Sequence, residues 1–388
     1  MTTVAGPSEH TQALSELARS LAVERYASRA AEWDASRQPF PREERRYLGS
    51  LGLLGICLPE RFGGSAAPLT DALVVIEELA KECRPAAFQV FESNTGPARA
   101  LATLGSEQLQ AALLPGIVAG ETTMAVAISE PDAGSAATDM TTRAKLANGS
   151  FTVNGSKRWI SNGSEADYYF VYARLNDEPG ARGIGALIVE ADRPGVSFGA
   201  PEKLMGFRGI PSADVIFDDV VVPESNLVVP AGEFRRLFTA FSIERLGNAT
   251  MSLAIGQAAL DRTVEYVQQR MQFGKPLIEF QAVQTELADM LVEVEAARLL
   301  VYRAALAAGN GLPDSLQVSI AKRAANEAGK RISDRAIGLH GGNGYSEEYG
   351  IERLHRDAHG WAIAGGTPTM QKVRIVSELL GRKFDQRA

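Results

Sequence analysis

Cysteine is nearly absent: Cys57 and Cys83 are the only two in 388 residues, and histidine is scarce at four. Neither type has the spacing of a metal site or a disulfide framework, so no metal is expected and a reducing cytoplasm is the natural compartment. Long hydrophobic runs are missing too. No stretch approaches the ~18 apolar residues of a membrane span, so no membrane insertion is expected. The opening MTTVAGPSEHTQ has neither the basic start nor the apolar middle of a secretory signal. Positive charge is never concentrated. The 40 basic residues are interspersed among 47 acidic ones, for a net charge of −7, which argues against a nucleic-acid partner.

What remains is an ordinary globular composition, 45% hydrophobic and 22% charged, in a chain too long for one compact core. Its texture predicts an α+β protein of three domains. Residues 1–121 read as an α-helical domain. There Leu14, Leu17, Leu21 and Val23 or Tyr26 share a helical face, and DALVVIEELAKEC and EQLQAALLPGIVAG repeat the pattern. Residues 122–230 read as an antiparallel β-barrel or sandwich. Short runs such as TTMAVAIS, FTVNG, DYYFVYARL, GALIVEA and ADVIFDDVVVP alternate there with turn residues. Residues 231–388 return to helix, in stretches long enough for a bundle packed into an oligomer.

Five motifs occur in order along the chain: AISEPDAGS (127–135), KRWISNG (157–163), GFRGIP (206–211), RMQFGKPLIEFQ (270–281) and LHGGNGYSEEYGIERLHRDA (339–358). Together they resemble the acyl-CoA dehydrogenase family over nearly the whole chain. The resemblance implies a C-terminal four-helix bundle, one FAD per subunit, and a homotetramer whose neighbours complete each flavin site. It assigns the near side of the flavin to Ala127, Ile128, Ser129, Gly134, Ser135, Trp159, Ile160 and Ser161, with Ser135 also near substrate. Arg270, Gln272, Phe273 and Gln281, with Gly338, Leu339, His340, Gly341 and Gly342, match positions that contact a neighbour's FAD. An Arg suits a pyrophosphate because its planar fork makes two charge-assisted bonds, although Arg270 also reads as a solvated helix-end cation. Thr367 and Thr369 should lie near the FAD. Two departures are Ala136, where the family often has Asp, and Gly338, where it often has Gln.

The family takes an α-proton from an acyl thioester while the β-hydrogen leaves as hydride to flavin N5. Many members place the base, a Glu, directly before a Gly-Thr near the C-terminus. Here that position is Gly365, within Trp361–Met370, where no side chain is ionisable. A minority, including isovaleryl-CoA and long-chain members, carry the Glu before an Arg on an earlier helix, and the matching pair is Glu244-Arg245. Around Glu244 the helical neighbours Ala240, Phe241, Gly247, Asn248, Met251 and Ile255 include no cation, so no intrahelical ion pair accounts for its charge. Partial desolvation should raise its pKa. Glu244 is therefore the expected base, and the Gly365 N–H an expected donor to the thioester carbonyl. Ser242, Arg245 and Gly366 match substrate contacts. Ser242 replaces a commoner Asp, which leaves CoA or a carrier-protein arm open as the thioester carrier. Loss of bulk at Ala364 and Gly365 suggests room for a branched, cyclic or substituted acyl group. Electrons would pass to electron-transferring flavoprotein or to O2.

Some segments, EPDAGSAATDMTTRA and IAGGT especially, also resemble the sulfinopropionyl-CoA desulfinase branch. That branch lacks a Glu at the 244 position and holds the sulfinate with an Arg in the N-terminal domain. This chain has Phe88 at the matching place, and Arg84 lies out of register. A carrier-protein-dependent oxidase, such as one converting a prolyl thioester to a pyrrole, and a flavoprotein scaffold without catalysis are the other readings.

Overall fold

The computed structural model describes residues 8–309 and 311–384; residues 1–7, most of the stretch read for a secretory signal, lie outside them. Helices open the chain: α1 (Glu9–Ser20), α2 (Ala27–Ser36), α3 (Arg42–Ser50), α4 (Leu69–Glu82), α5 (Arg84–Asn94), α6 (Pro97–Leu104) and α7 (Glu107–Val118). The first face differs from the one its leucines predict. Leu17 and Val23 are exposed, while Ala18, Leu21, Ala22 and Tyr26 are buried. The reason is a π-helical turn over Leu21–Tyr26 between α1 and α2. Its wider i→i+5 spacing brings Tyr26 under Leu21 and turns Val23 outward.

Eight strands follow in one sheet: β1 (Met124–Ala127), β2 (Arg143–Ala147), β3 (Ser150–Ser161), β4 (Tyr168–Arg174), β5 (Ile184–Glu190), β6 (Val196–Phe198), β7 (Ser212–Pro223) and β8 (Leu227–Val229). Their order is β6-β7-β3-β2-β4-β5-β8, with β1 on β4. Most pairs are antiparallel, but β1 lies parallel to β4, because the chain returns through β2 and β3 before β4 is laid down. The near-continuous apolar run of β4 has a direct cause. Tyr169, Val171 and Ala173 face the interior of the sheet, while Phe170 and Tyr172 pack with Leu101, Leu113 and Leu237 of the helices. Both faces are buried, so no polar alternation survives.

The chain then enters α8 (Phe234–Gln269), a 36-residue helix about 54 Å long. A hairpin of β9 (Met271–Gln272) and β10 (Lys275–Pro276) leads to α9 (Gln281–Ala308) and α10 (Ser315–His340), then to α11 (Gly342–Tyr345), α12 (Ile351–Ile363) and α13 (Pro368–Leu379). α10 is the axis of this bundle, touching α8, α9, α12 and α13. It crosses α8 closely at Gly329, where a Cβ would lie 2.7 Å from the Ser252 carbonyl oxygen.

The three parts meet at Asp357 of α12. Its carboxylate accepts from Arg84 Nε at 3.0 Å and from the Phe207 N–H at 2.9 Å. Phe207, from GFRGIP, packs on Trp361 with ring centroids 4.6 Å apart. A side chain at Gly360 would strike the Phe207 ring, so this glycine is what lets the middle domain dock.

Candidate active site

Glu244 lies partly exposed on α8, at a narrow cavity walled by Thr95, Gly96, Pro97, Ala100, Val126, Phe170, Tyr172, Ala240 and Phe241. Gly247, one turn along, sets this proximity. A Cβ there would sit 2.4 Å from Thr95 Oγ1 and 2.7 Å from the Phe91 ring, so only glycine lets α8 approach the α5–α6 corner so closely. Among the described residues the Glu244 carboxylate has no hydrogen-bond or ion-pair partner. Burial pushes its pKa up to about 8, against the pull of Arg245 and then Lys322. Besides Arg245, its neighbour in sequence, a second cation acts on Glu244 from outside the helical face: Lys322 arrives from α10, which spacing along α8 does not reveal.

Arg245 is buried and sandwiched, its guanidinium 4.4 Å above the Phe238 ring and 4.8 Å above that of Phe241. Its Nε donates to the Gly365 carbonyl at 3.2 Å. The Ala364 carbonyl accepts from Asn248 Nδ2 at 3.3 Å, and the Gly366 carbonyl from Gln371 Nε2 at 3.0 Å. Gly365 and Gly366 have φ of 68° and 99°, a left-handed run that glycine adopts without strain. Neither of their N–H groups meets an acceptor among the described residues. The Thr367 hydroxyl accepts from the Met370 N–H as the cap of α13, and Thr369 is exposed. Ser242 is 2% exposed, with its side chain inside the packed helix.

The AISEPDAGS turn is anchored through Glu130, which accepts from the Thr141 and Thr142 N–H groups and from buried Lys157 Nζ at 2.8 Å. Ala127 is fully buried, so only its backbone can serve a ligand. The Ile128 carbonyl accepts from Lys157, and the Ser129 carbonyl from the Arg158 N–H. Gly134 and Ser135 are exposed, with open space around Gly134. Opposite them β3 bulges between Lys157 and Ile160. The extra residue is Trp159, at φ 64° and 52% exposed, under the Arg158 guanidinium. A bulky residue at positive φ is strained, and here the strain turns an indole outward as an aromatic wall. Ile160 points into the sheet and Ser161 is half-buried. These residues fit a flavin: an outward aromatic ring with the Arg158 guanidinium on one face, an adjacent hydroxyl, and a glycine turn open to close approach.

The remaining expected cofactor residues sit elsewhere. Arg270, Gln272, Phe273 and Gln281 are all exposed, Phe273 at 93%. Gly338, Gly341 and Gly342 are exposed nearby at the end of α10, with open space where a Cβ would stand. The two groups are tied by Tyr266, which stacks on His340 at 4.2 Å and donates to its carbonyl. The His340 ring is buried and Leu339 half-buried, so these offer backbone rather than side chain to a ligand. Arg270 stands at the far end of α8 from Glu244, roughly 40 Å away along the axis.

Sequence reading misses two features. Glu92 of α5 is buried and accepts from Asn162 Nδ2 at 2.8 Å. Burial pushes it up to about 8, with Arg45 and the Asn162 bond opposing and Glu244 adding to the rise. Lys322 and Asn326, four apart on α10, form a second buried polar group beside Asn248. The only signal was two polar residues on a small-residue helical face.

Three family descriptions match in succession: the N-terminal domain of acyl-CoA dehydrogenase over residues 8–121, the middle domain over 125–220 and the C-terminal domain over 234–380. The chain is 39% identical to 3-sulfinopropanoyl-CoA desulfinase of Paraburkholderia xenovorans (strain LB400), over 96% of this chain and 97% of that one. It is 35% identical to an acyl-CoA dehydrogenase of Bacillus subtilis (strain 168), over 91% and 93%. Among solved structures, butyryl-CoA dehydrogenase from Megasphaera elsdenii superposes with a TM-score of 0.93 at 34% identity, over 97% of this chain and 99% of that one. With its three-part fold, its strained indole wall and its matches end to end, this chain belongs to the acyl-CoA dehydrogenase family, FAD-dependent oxidoreductases acting on acyl-CoA.

Proposed function

We propose that the chain dehydrogenates a short acyl thioester between its α and β carbons, with Glu244 taking the α-proton. One observation carries this reading: a carboxylate without a partner, its pKa raised to about 8, at an apolar cavity where position 365 offers no acid. Such a group is a base matched to near-neutral pH. The Gly365 and Gly366 N–H groups donate to the thioester oxygen as enolate charge develops. Bound FAD supplies the acceptor for the β-hydrogen and its electron pair. Trp159, Ser161, Ser129, Gly134 and Ser135 hold it from this chain, while Arg245 and Gly366 line the way to the thioester. Phe170, Tyr172, Phe241 and Pro97 crowd the cavity, which favours a small acyl group, straight, branched or cyclic.

The length of α8 supports an oligomer. Arg270, Gln272, Phe273, Gln281 and Gly338–Gly342 are too far from Glu244 to serve the same flavin, so they reach one in a neighbouring subunit of a tetramer. No described helix is long and apolar enough to cross a membrane, and both cysteines are free, in keeping with a cytoplasmic enzyme. Electron-transferring flavoprotein or O2 accepts the electrons.

The test uses the purified FAD-loaded protein and a panel of straight, branched and cyclic acyl-CoA thioesters, followed by flavin bleaching. Bleaching by the parent and at least a ~1,000-fold slower rate in Glu244→Gln are expected; an equal rate in the variant overturns the reading. Acyl-carrier thioesters in the same panel decide the carrier. Desulfination is the second reading, favoured by the similarity to 3-sulfinopropanoyl-CoA desulfinase. Two features weigh against it: Glu244, and the engagement of Arg84 with Asp357 while Phe88 packs on Phe91 and Trp361. Sulfite release from 3-sulfinopropanoyl-CoA without net bleaching would establish it.

A further inference from the structure

Lys322 has no part in the reaction described so far, yet it is fully buried. Its Nζ donates to Asn326 Oδ1 at 2.7 Å. Asn326 Nδ2 in turn donates to Asn248 Oδ1 at 3.0 Å, Ser252 Oγ at 2.6 Å and the Trp361 carbonyl at 3.3 Å. Asn248 Nδ2 then donates to the Ala364 carbonyl. Each amide in this chain has its orientation fixed by the donor behind it, and Lys322, which can only donate, fixes the first. The end of the chain is the loop that contains Gly365. A Cβ on Gly365 would lie 3.4 Å from Lys322 Cε, so the lysine stem also backs the loop directly.

Three successive carbonyls, those of Ala364, Gly365 and Gly366, are each captured by a side chain: Asn248, Arg245 and Gln371. In a trans peptide the N–H points opposite to the C=O. Holding the carbonyls of Ala364 and Gly365 therefore fixes the direction of the Gly365 and Gly366 N–H groups. Two adjacent glycines would otherwise leave these peptides free to turn over.

We propose that Lys322, Asn326 and Asn248 are positioning residues, a relay that holds the Ala364–Gly366 loop so that its two free N–H groups face the thioester oxygen. This rests on the dehydrogenase reading and adds to it how a loop without a catalytic side chain keeps its donors aimed. The charged and titratable groups around Glu244 are Arg245 on α8, Lys322 on α10, Glu92 on α5 and Tyr172 on β4, with Arg374 of α13 acting on Arg245. Burial draws the Lys322 pKa down to about 7, with Arg245 lowering it further and Glu244 opposing. As ammonium or amine, Lys322 still has a hydrogen to give Asn326. Only the ammonium lacks a lone pair and gives a charge-assisted bond, so the relay's hold is strongest below that pKa and weaker above it.

Three FAD-loaded variants test the relay with the acyl-CoA that bleaches the parent fastest: Lys322→Met, which keeps length and loses the donor, Lys322→Gln, which restores one, and Asn248→Leu, which cuts the bond to the loop. Lys322→Met is expected to lower kcat about 10-fold, less than outright loss of an oxyanion donor, and Asn248→Leu about 100-fold, at the lower edge of that range. KM should change less than threefold, and the Lys322→Met factor should be larger at pH 6.5 than at pH 9, where the parent lysine is neutral. Lys322→Gln should recover most of the loss. Native kcat in Lys322→Met and Asn248→Leu while Glu244→Gln is inactive overturns the relay alone; a fully active Glu244→Gln overturns the dehydrogenase reading. Should no thioester bleach the parent, amide exchange decides. Faster exchange confined to 364–366 in Lys322→Met supports the relay, and unchanged exchange overturns it.

Discussion

At the scale of one residue, Glu244 joins stability to activity through its proton. In the proposed reaction the ionised form is the base and the protonated form is inert. Initial bleaching rates at low thioester concentration should rise about tenfold per pH unit below about 8 and level off above it, since the folded pKa is about 8. The stability effect has the opposite sign. The folded chain holds this proton more tightly than an unfolded Glu at its ordinary value of 4.5. Its contribution is therefore full below that value and is lost as pH rises through about 8. Calorimetry should find Glu244→Gln melting above the parent at pH 9, with the difference shrinking toward pH 5. A gap independent of pH would mean that the carboxylate is solvated and not poised as a base.

At the scale of elements, two local irregularities place the chemistry. The first is the close approach of α8 to α5 and α6 at Gly247. Gly247→Ala forces a Cβ to within 2.4 Å of Thr95 Oγ1. It should destabilise the chain by about 1–3 kcal/mol in denaturant titrations and slow bleaching by moving Glu244. The second is the β3 bulge. A Trp at φ 64° stores about 1–3 kcal/mol of strain, relieved by glycine. Trp159→Gly should raise the Tm of the FAD-free protein while weakening FAD retention on gel filtration. A lower Tm for the FAD-free variant would show the indole to be structural.

These elements also show what is legible in sequence. The helical stretches around residues 71–83 and 234–308 are readable because their apolar positions recur at the helical period, and the AISEPDAGS and KRWISNG motifs mark the turn and the bulged strand of the proposed flavin site. The π turn at Leu21–Tyr26 is not readable, because one extra residue per turn leaves no compositional trace. Nor is the partner of Asn248, since Asn326 is 78 positions away and no pattern along α8 points to it.

At the scale of the whole molecule, Glu244 and the exposed Arg270–Gln281 segment stand at opposite ends of α8, which in the proposed assembly makes them parts of two different flavin sites. Phe273 at 93% exposure is an aromatic that a monomer in water has no reason to present; it sits on the hairpin that follows Arg270, edge-on to Phe280. On the proposed assembly, Phe273→Asp should lower the sedimentation coefficient of the parent and release FAD together with it. A variant that stays assembled and yellow would place the neighbour contact elsewhere.

By itself the sequence displayed the class of each segment, the order of the five motifs, and the pairing of a vacant position 365 with a glutamate at 244 on which the proposed base rests. All of these depend on residue type at a fixed spacing, which a linear chain displays directly. Only the tertiary structure decided that Arg84 is held by Asp357, that Trp159 turns outward, and that Lys322 and Asn326 stand behind the Ala364–Gly366 loop. Each of these depends on where separate helices and strands cross, and the crossings are set by steric fit at Gly247, Gly329 and Gly360, residues that carry no chemistry of their own to announce them.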